Sequence, residues 1–459
     1  MTKIDKSIFK AYDIRGIYPD QLDEEGAYQI ARGYATLIQD ENPGKKLKIV
    51  VGYDMRLSSP SLKQRVVEGL IDSGIDVVDV GLVSTPTFYF AVAKYGYDGG
   101  MQVSASHNPK NYSGLKMTRA GAVPVSGDTG IMQIHDLVES QKFIELAEKK
   151  GSVENRTSVL ADLTEDHFKH FDASKIKPFK IVVDASNAMG ALDIEAFFAK
   201  LPCEVIKMNF KLDGNFPAHE ANPMLQENTE DLRKRIVAEG VDLGIAPDGD
   251  ADRYFFYDEK GNEVRQSILR GLMAAIELDE HPGATVAYDI RPGRITQDMI
   301  LEHGGKPVVT RVGHSLIKEK MIETGAIFGG ESSGHYFYKL DYGVFECPLI
   351  LTGKLLEYLS SQDKTFSEVM KPYYKYAHSG ELNTKMSDRV QVEQKLSEVK
   401  EKFKDGKLVL IDGITIEYPD VWFNLRASNT EPVIRLTVEA KDEQTMEKWR
   451  DELLEMIRG

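Results

Sequence analysis

The sequence predicts an α/β protein of several domains, three similar α/β units followed by a smaller α+β unit. Three observations carry that expectation. At 459 residues the chain is too long for one ordinary core, and the usual domain size suggests about three or four units. Short apolar runs of strand length alternate with amphipathic helical patterns, and three times the alternation ends in a dense polar loop. The tail abandons alternation for consecutive strand-like runs, the grammar of a small antiparallel sheet. Residue identity between the three rounds is low, so what repeats is the pattern. The expected domains are 1–150, 151–255, 256–366 and 367–459.

The first round opens with Phe9-Lys-Ala-Tyr-Asp-Ile-Arg-Gly16, where Arg15 beside a glycine turn could reach an oxyanion or hold a structural salt bridge. Helical patterns follow at Glu25–Gln39, Ser59–Ser73 and Pro86–Tyr95. They alternate with strand-like Leu47–Tyr53, Ile75–Val80 and Met101–Val103. The last of these runs into Val103-Ser-Ala-Ser-His-Asn-Pro109, where Asn-Pro forces a turn. A hydroxyl there, that of Ser106, is expected to be exposed and able to carry a transferable group. In a layered α/β sheet, ligands collect at such carboxyl ends of strands.

The second round alternates strands at Lys180–Asp184, Glu204–Met208 and Val241–Ala246 with helices at Ala191–Leu201 and Glu230–Glu239, and ends in Pro247-Asp-Gly-Asp-Ala-Asp-Arg253. The third sets helices Ser267–Leu278 and His314–Glu323 among strands Ala284–Asp289, Val308–Thr310 and Ala326–Phe328, and ends in Gly329-Gly-Glu-Ser-Ser-Gly-His335. After a helix at Pro348–Ser360, residues from about Thr365 to Thr384 read as a connector. The helix Gln391–Phe403, the strands Leu408–Asp412, Ile414–Tyr418, Trp422–Leu425 and Val433–Val438, and a closing helix Glu443–Ile457 complete the chain.

The formal charge of −15 argues against general attraction to nucleic acid, which needs a basic face. No apolar run approaches the roughly 20 residues that span a bilayer, and the N-terminus lacks a signal-peptide core. The expectation is a cytoplasmic protein without membrane partners. Its two cysteines, Cys203 and Cys347, match no metal-ligand spacing and read as reduced, packed thiols.

Asp248, Asp250 and Asp252 alternate with small residues, and in extended backbone this would send all three carboxylates to one side. Such a set repels itself unless a cation joins it, and all-oxygen ligands suit Mg²⁺ or Ca²⁺. An EF-hand loop fits the acidic spacing, but Arg253 stands where that loop needs glycine. A solvated acidic turn stays open. Arg426-Ala-Ser-Asn-Thr430 gathers the donors a phosphate dianion takes, and the glycine frame around Glu331, Ser333 and His335 offers partners for sugar hydroxyls. Each is also compatible with an ordinary surface loop.

Taken together and in order from Phe9 to Thr437, these four loops resemble those of the α-D-phosphohexomutase family, most closely its bacterial phosphomannomutase/phosphoglucomutase branch. The resemblance implies four domains around a central cleft. It makes Ser106 a phosphoserine, with Ser106, Asp248, Asp250 and Asp252 holding Mg²⁺ and Arg253 offsetting charge beside them. Lys116 matches the family's acid/base lysine, and His314 a histidine sharing proton transfer and substrate contact. Glu331, Ser333 and His335 match the sugar loop, and Arg426, Ser428, Asn429 and Thr430 the phosphate loop. Tyr12, Arg15 and Arg291 are placed like further ligand contacts, with lysine common in relatives at Arg291.

The implied activity is reversible transfer of a phosphoryl group between C1 and C6 of mannose or glucose phosphates. It would run through phospho-Ser106 and a hexose 1,6-bisphosphate, on a monomer whose partners are small hexose phosphates. Three alternatives stay open: a phosphoglucosamine mutase, a non-catalytic sugar-phosphate-binding relative, and a phosphatase.

Overall fold

The computed structural model describes residues 4–291, 293–428 and 432–459. The chain forms two compact units, one comprising residues up to Val264 with Met321–Ile327 and Ser333–Val369, the other Arg265–Lys320, Phe328–Ser332 and Met370–Gly459.

In the first unit, strands β1 (Ile14–Ile17), β2 (Lys48–Tyr53), β3 (Asp76–Leu82), β4 (Gly99–Val103), β5 (Tyr112–Arg119) and β6 (Val153–Asn155) make one sheet in the order β1-β5-β4-β2-β3-β6. The β2, β3, β4 and β6 pairings are parallel, while β5 returns antiparallel to β4 and pairs antiparallel with β1. Parallel strands are covered on both faces, which is why β4 is buried at every residue. The helix Glu24–Glu41 starts where the Asp23 carboxylate accepts from the Gly26 N–H, and its Ile30, Tyr34 and Ile38 share one buried cluster with Ile49, Val51 and Met101. Cutting Ile49 to alanine there costs about 2–5 kcal/mol. Beyond the carboxyl end of β4 lies the turn of Ser106.

A second sheet in this unit runs β10-β9-β7-β8, built from β7 (Lys180–Asp184), β8 (Glu204–Met208), β9 (Leu243–Pro247) and β10 (Tyr254–Tyr257). β8 and β9 are parallel to β7, and β10 folds back antiparallel on β9, two residues past the boundary expected after 255. The reversal between β9 and β10 is the loop of the three aspartates.

The second unit holds a parallel trio in which β11 (Thr285–Asp289) lies between β12 (Lys306–Thr310) and β13 (Phe328–Gly330). The hairpin of β14 (Tyr336–Leu340) and β15 (Gly343–Glu346) belongs to the first unit. The last sheet, in the second unit, is β16-β20-β19-β18-β17, with β16 (Ala377–Lys385), β17 (Lys407–Val409), β18 (Ile414–Glu417), β19 (Val421–Ala427) and β20 (Val433–Ala440), antiparallel throughout. Three similar α/β domains and a C-terminal α+β domain are thus present, as expected from the alternation and from its end in the tail.

Two readings of the sequence need correction. The expected connector at 365–384 contains the helix Phe366–Met370 and most of β16. β16 pairs along one side only, and its half-buried polar run with a bulge between His378 and Glu381 lacks the apolar alternation that marks a strand. The polar strand β5 also went unread; its antiparallel return sets Lys116 opposite Gln102, beside the end of β4. Among the described residues no helix is long and apolar enough to cross a membrane.

Candidate active site

Ser106 sits on its turn with φ of 50°, a left-handed conformation that a serine adopts only when its surroundings impose it. Its N–H donates to Ser104 Oγ at 3.0 Å, and its hydroxyl donates to Asp248 Oδ2 at 3.1 Å with His107 Nδ1 also at 3.1 Å. Contrary to the expected exposure, Ser106 is buried, with 1% of its surface accessible. The covering comes from the aspartate loop: a Cβ on Gly249 would stand 2.4 Å from the Ser106 carbonyl oxygen, so only glycine permits this approach.

The three aspartates do converge, with ligand atoms within 4.8 Å of one another, but not by the expected route. The backbone from Asp248 to Asp252 is a turn, with Ala251 at φ 62° and its N–H donating to the Asp248 carbonyl, so convergence comes from curling and not from extended alternation. Asp252, His335 and Glu346 form a second overlapping group of ligand type.

Side-chain cations of the protein answer this negative charge. Lys116 Nζ lies 2.7 Å from Asp250 Oδ2 and 2.5 Å from Asp252 Oδ2. Burial works against its ammonium, but the two carboxylates outweigh burial and hold its pKa well above the usual lysine range. Arg253 Nε is 3.6 Å from Asp248 Oδ2 and 3.2 Å from His335 Nε2, and that same histidine nitrogen is 3.2 Å from Asp252 Oδ1. His335 Nε2 therefore donates to Asp252 when protonated and accepts from Arg253 when not. Ser333 Oγ is 3.2 Å from the other ring nitrogen.

Burial, with Asp252 and Asp250 alongside, pushes the Asp248 carboxyl up to about 7. Asp252, although buried, is held well below the usual range by Lys116 and His335. His107 is kept neutral by burial and by the nearby Arg253 and Arg15. Thr85 completes the shell, its hydroxyl donating to Asp250 Oδ2 at 2.5 Å and its N–H to the Asp250 carbonyl at 3.0 Å. Asp250 Oδ1 is buried and takes no hydrogen bond. An orphaned carboxylate oxygen in an all-oxygen trio fits a hard divalent cation.

Arg15 binds Asp13 through Nε at 2.8 Å and Asn108 Oδ1 through Nη1 at 2.7 Å, which ties β1 to the serine turn. Burial opposes its charge, but Asp13, Asp250 and Asp252 hold its pKa above the usual value. Tyr12, three residues earlier, is half-buried.

In the second unit the expected ligand residues fall into arginine–carboxylate pairs. Arg291 lies 2.6 Å from Asp289 Oδ2 and 3.4 Å from Glu331 Oε1, and Glu331 also accepts the Gly313 N–H at 2.7 Å. Glu381 Oε2 holds Arg426 at 2.7 Å and its Oε1 holds Arg435 at 3.0 Å. Burial would raise the Glu381 pKa, but Arg426, Arg291 and Arg435 bring it below the usual range. His314 is buried at the start of the helix His314–Thr324, and Ser428 N–H donates to Val433 O at 2.9 Å. Asn429 and Thr430 lie outside the described residues.

The first unit thus gathers Ser106, Lys116, Asp248, Asp250, Asp252, Arg253, Ser333 and His335, with Arg15 joined to the same turn. Arg291 and Glu331 meet in the second, where Glu381 couples Arg291 to Arg426. Sequence reasoning missed His107, Thr85, Glu381 and Arg56, a buried arginine beneath the serine turn. Only His107 carried a local signal, its position next to Ser106.

Four family models match the chain in order: phosphoglucomutase/phosphomannomutase α/β/α domains I, II and III at residues 6–145, 160–261 and 267–376, and the family's C-terminal domain at 381–456. A phosphomannomutase of Escherichia coli K12 is 37% identical over 442 residues, 94% of each chain. One from Vibrio cholerae is 39% identical over 442 residues, again 94% of each. A crystal structure of a phosphoglucomutase/phosphomannomutase family protein from Burkholderia thailandensis superposes with a TM-score of 0.90 at 33% identity, covering 99% of this chain and 98% of that one.

The chain belongs to the α-D-phosphohexomutase superfamily, in its bacterial phosphomannomutase/phosphoglucomutase branch. It is an enzyme of the isomerase type found there, and its chemistry is intramolecular phosphoryl transfer on hexose phosphates.

Proposed function

We propose that the chain interconverts the 1- and 6-phosphates of mannose and glucose, with Ser106 as the phosphoryl carrier and Mg²⁺ as the metal. The observation that carries this reading is the 3.1 Å hydrogen bond from Ser106 Oγ to Asp248, within a trio of buried carboxylates. Asp248, Asp250, Asp252 and the Ser106 oxygen would hold the ion, which would offset negative charge on the transferring oxygens.

A free sugar hydroxyl attacks the phosphorus of phospho-Ser106; the new P–O bond forms as the bond to Oγ breaks, and the proton lost by the sugar ends on Oγ. Lys116, kept as an ammonium by Asp250 and Asp252, would set a positive charge beside the transferring oxygens, and Lys116 and His314 are the positions that the family resemblance gives for proton transfer. Arg253, whose Nε lies 3.6 Å from Asp248 Oδ2, would neutralise the group in flight. The hexose 1,6-bisphosphate then turns over and returns its other phosphate to Ser106. Glu331, Ser333 and His335 take sugar hydroxyls, while Arg291, Arg426, Ser428, Asn429 and Thr430, with Tyr12 and Arg15, grip phosphate and orient the sugar. The same reading makes the protein a cytoplasmic monomer without nucleic-acid partners.

Two measurements test this. Ser106→Ala should fold normally and lose at least about 10⁴-fold in kcat, by analogy with removal of other covalent nucleophiles; turnover near that of the unaltered protein refutes the assignment. A panel of glucose, mannose and glucosamine 1-phosphates should give the highest kcat/KM with the first two, and preference for the third would identify a phosphoglucosamine mutase.

A further inference from the structure

Beneath the serine turn lies a side chain that the reaction as described does not use. Arg56 is among the largest fully buried residues of the protein. Its Nη2 donates to the carbonyls of Ser106 at 2.7 Å and Asn108 at 2.6 Å, and its Nη1 to those of Pro109 at 2.8 Å and Tyr112 at 3.1 Å. One guanidinium therefore binds four carbonyls spanning the reversal between β4 and β5. Its own position is fixed by two groups. The Asp54 carboxylate lies 3.3 Å from Nε, and its Oδ1 also accepts from the Arg56 N–H at 3.0 Å and from Ser59 Oγ at 2.5 Å. The Phe216 ring, from the segment following β8, stacks under the guanidinium with its centroid 5.2 Å away.

We propose that Arg56 is the positioning residue of the phosphoryl-carrying turn: its planar fork holds the carbonyls so that Ser106 stays left-handed and Oγ faces Asp248. The inference rests on the reading of Ser106 as the carrier. Arg56 bonds neither Oγ nor the carboxylate trio; its charge is felt at Asp250, but its hydrogen bonds reach the serine turn through backbone carbonyls. The Ser106 carbonyl that Arg56 holds is also the atom against which Gly249 packs, so Arg56 sets the spacing between the two loops from below. A misplacement of about 1 Å at a reacting group is enough to cost about 100-fold in rate. Lysine could keep the charge, but its point-like ammonium cannot match a rigid fork with four acceptors.

The test compares Arg56→Gln and Arg56→Lys with the unaltered protein in steady-state turnover of glucose 1-phosphate, in thermal unfolding, and in phosphate incorporation on Ser106 by intact mass after exposure to glucose 1,6-bisphosphate. Expected are folded variants in which Arg56→Gln loses about 100-fold in kcat with KM changed less than about threefold, phosphate incorporation slows in proportion, and Arg56→Lys recovers about tenfold of the loss. A folded Arg56→Gln with kcat within about threefold of the unaltered protein overturns the proposal, as does a loss confined to KM. If Arg56→Gln does not fold, Arg56→Lys decides by the same kcat criterion. If neither folds, Arg56 holds the domain and not the turn, and the proposal fails. Ser106→Ala separates the two readings: if that variant still turns over, the carrier assignment has failed, whatever the Arg56 variants do.

Discussion

The charged groups around Ser106 and those around Glu381 solve opposite problems. In the first unit the fixed element is anionic: three buried carboxylates, with Lys116 and Arg253 brought to them as counter-charges and His335 beside Asp252. In the second the groups proposed to bind ligand are cationic, and the acids Glu381, Asp289 and Glu331 hold the arginines in place. A set of like charges close together is costly without its counter-ions, so the first cluster is braced by several backbone and side-chain bonds at once. The arginine pairs need less bracing, because a guanidinium has five donors and can keep its tether while it takes a phosphate. The difference teaches where each site should be fragile: the first in its geometry, the second in its affinity.

Short of removing the Ser106 hydroxyl itself, the largest break should come from Gly249→Ala. Its added Cβ would fall 2.4 Å from a backbone oxygen of Ser106, so the two loops must separate. A kcat loss of about 10²-fold or more in a folded protein is expected from steady-state kinetics. A smaller step is Thr85→Val, which removes the hydroxyl on Asp250 while keeping shape. Mg²⁺ affinity measured by calorimetry should fall by about 10-fold, the usual effect of losing a bond that orients a ligand.

The same cluster should also show pH dependence. The metal-free Asp248 carboxyl, raised to about 7, keeps its proton below that pH, and a metal must displace it. Mg²⁺ affinity should therefore rise as pH increases through about 7 and level off above; a flat profile between about pH 6 and 8 would contradict the burial argument. In the second unit, Glu381→Gln should raise KM for the sugar phosphate by about fivefold with kcat nearly unchanged, since a partly buried pair contributes about 1 kcal/mol to arginine placement. A kcat effect as large as that of Gly249→Ala would erase the distinction between the regions.

What the sequence made legible was what it kept close together. Ser106 and the three aspartates announce themselves because hydroxyl, carboxylates and small residues crowd a few positions at the ends of apolar runs. Thr85 and Arg56 gave no such sign. The first finds its acceptor 165 residues away and the second its serine carbonyl 50 residues away, so their roles exist only after the sheets are assembled. Glu381 was hidden for a different reason, lying in a polar strand that read as a connector. The aspartate loop is a mixed case: the expected convergence occurs, but Ala251 reaches it through a left-handed turn that alternation did not foresee.

The closeness of Gly249 to Ser106, and of Thr85 to Asp250, has one more consequence. Loops that belong to different sheets behave there as one mechanical part, with no slack for a side chain between them. On the reading proposed above, efforts to retune this protein toward another sugar should leave that part alone and work on Glu331, the proposed sugar-hydroxyl partner that lies in the second unit.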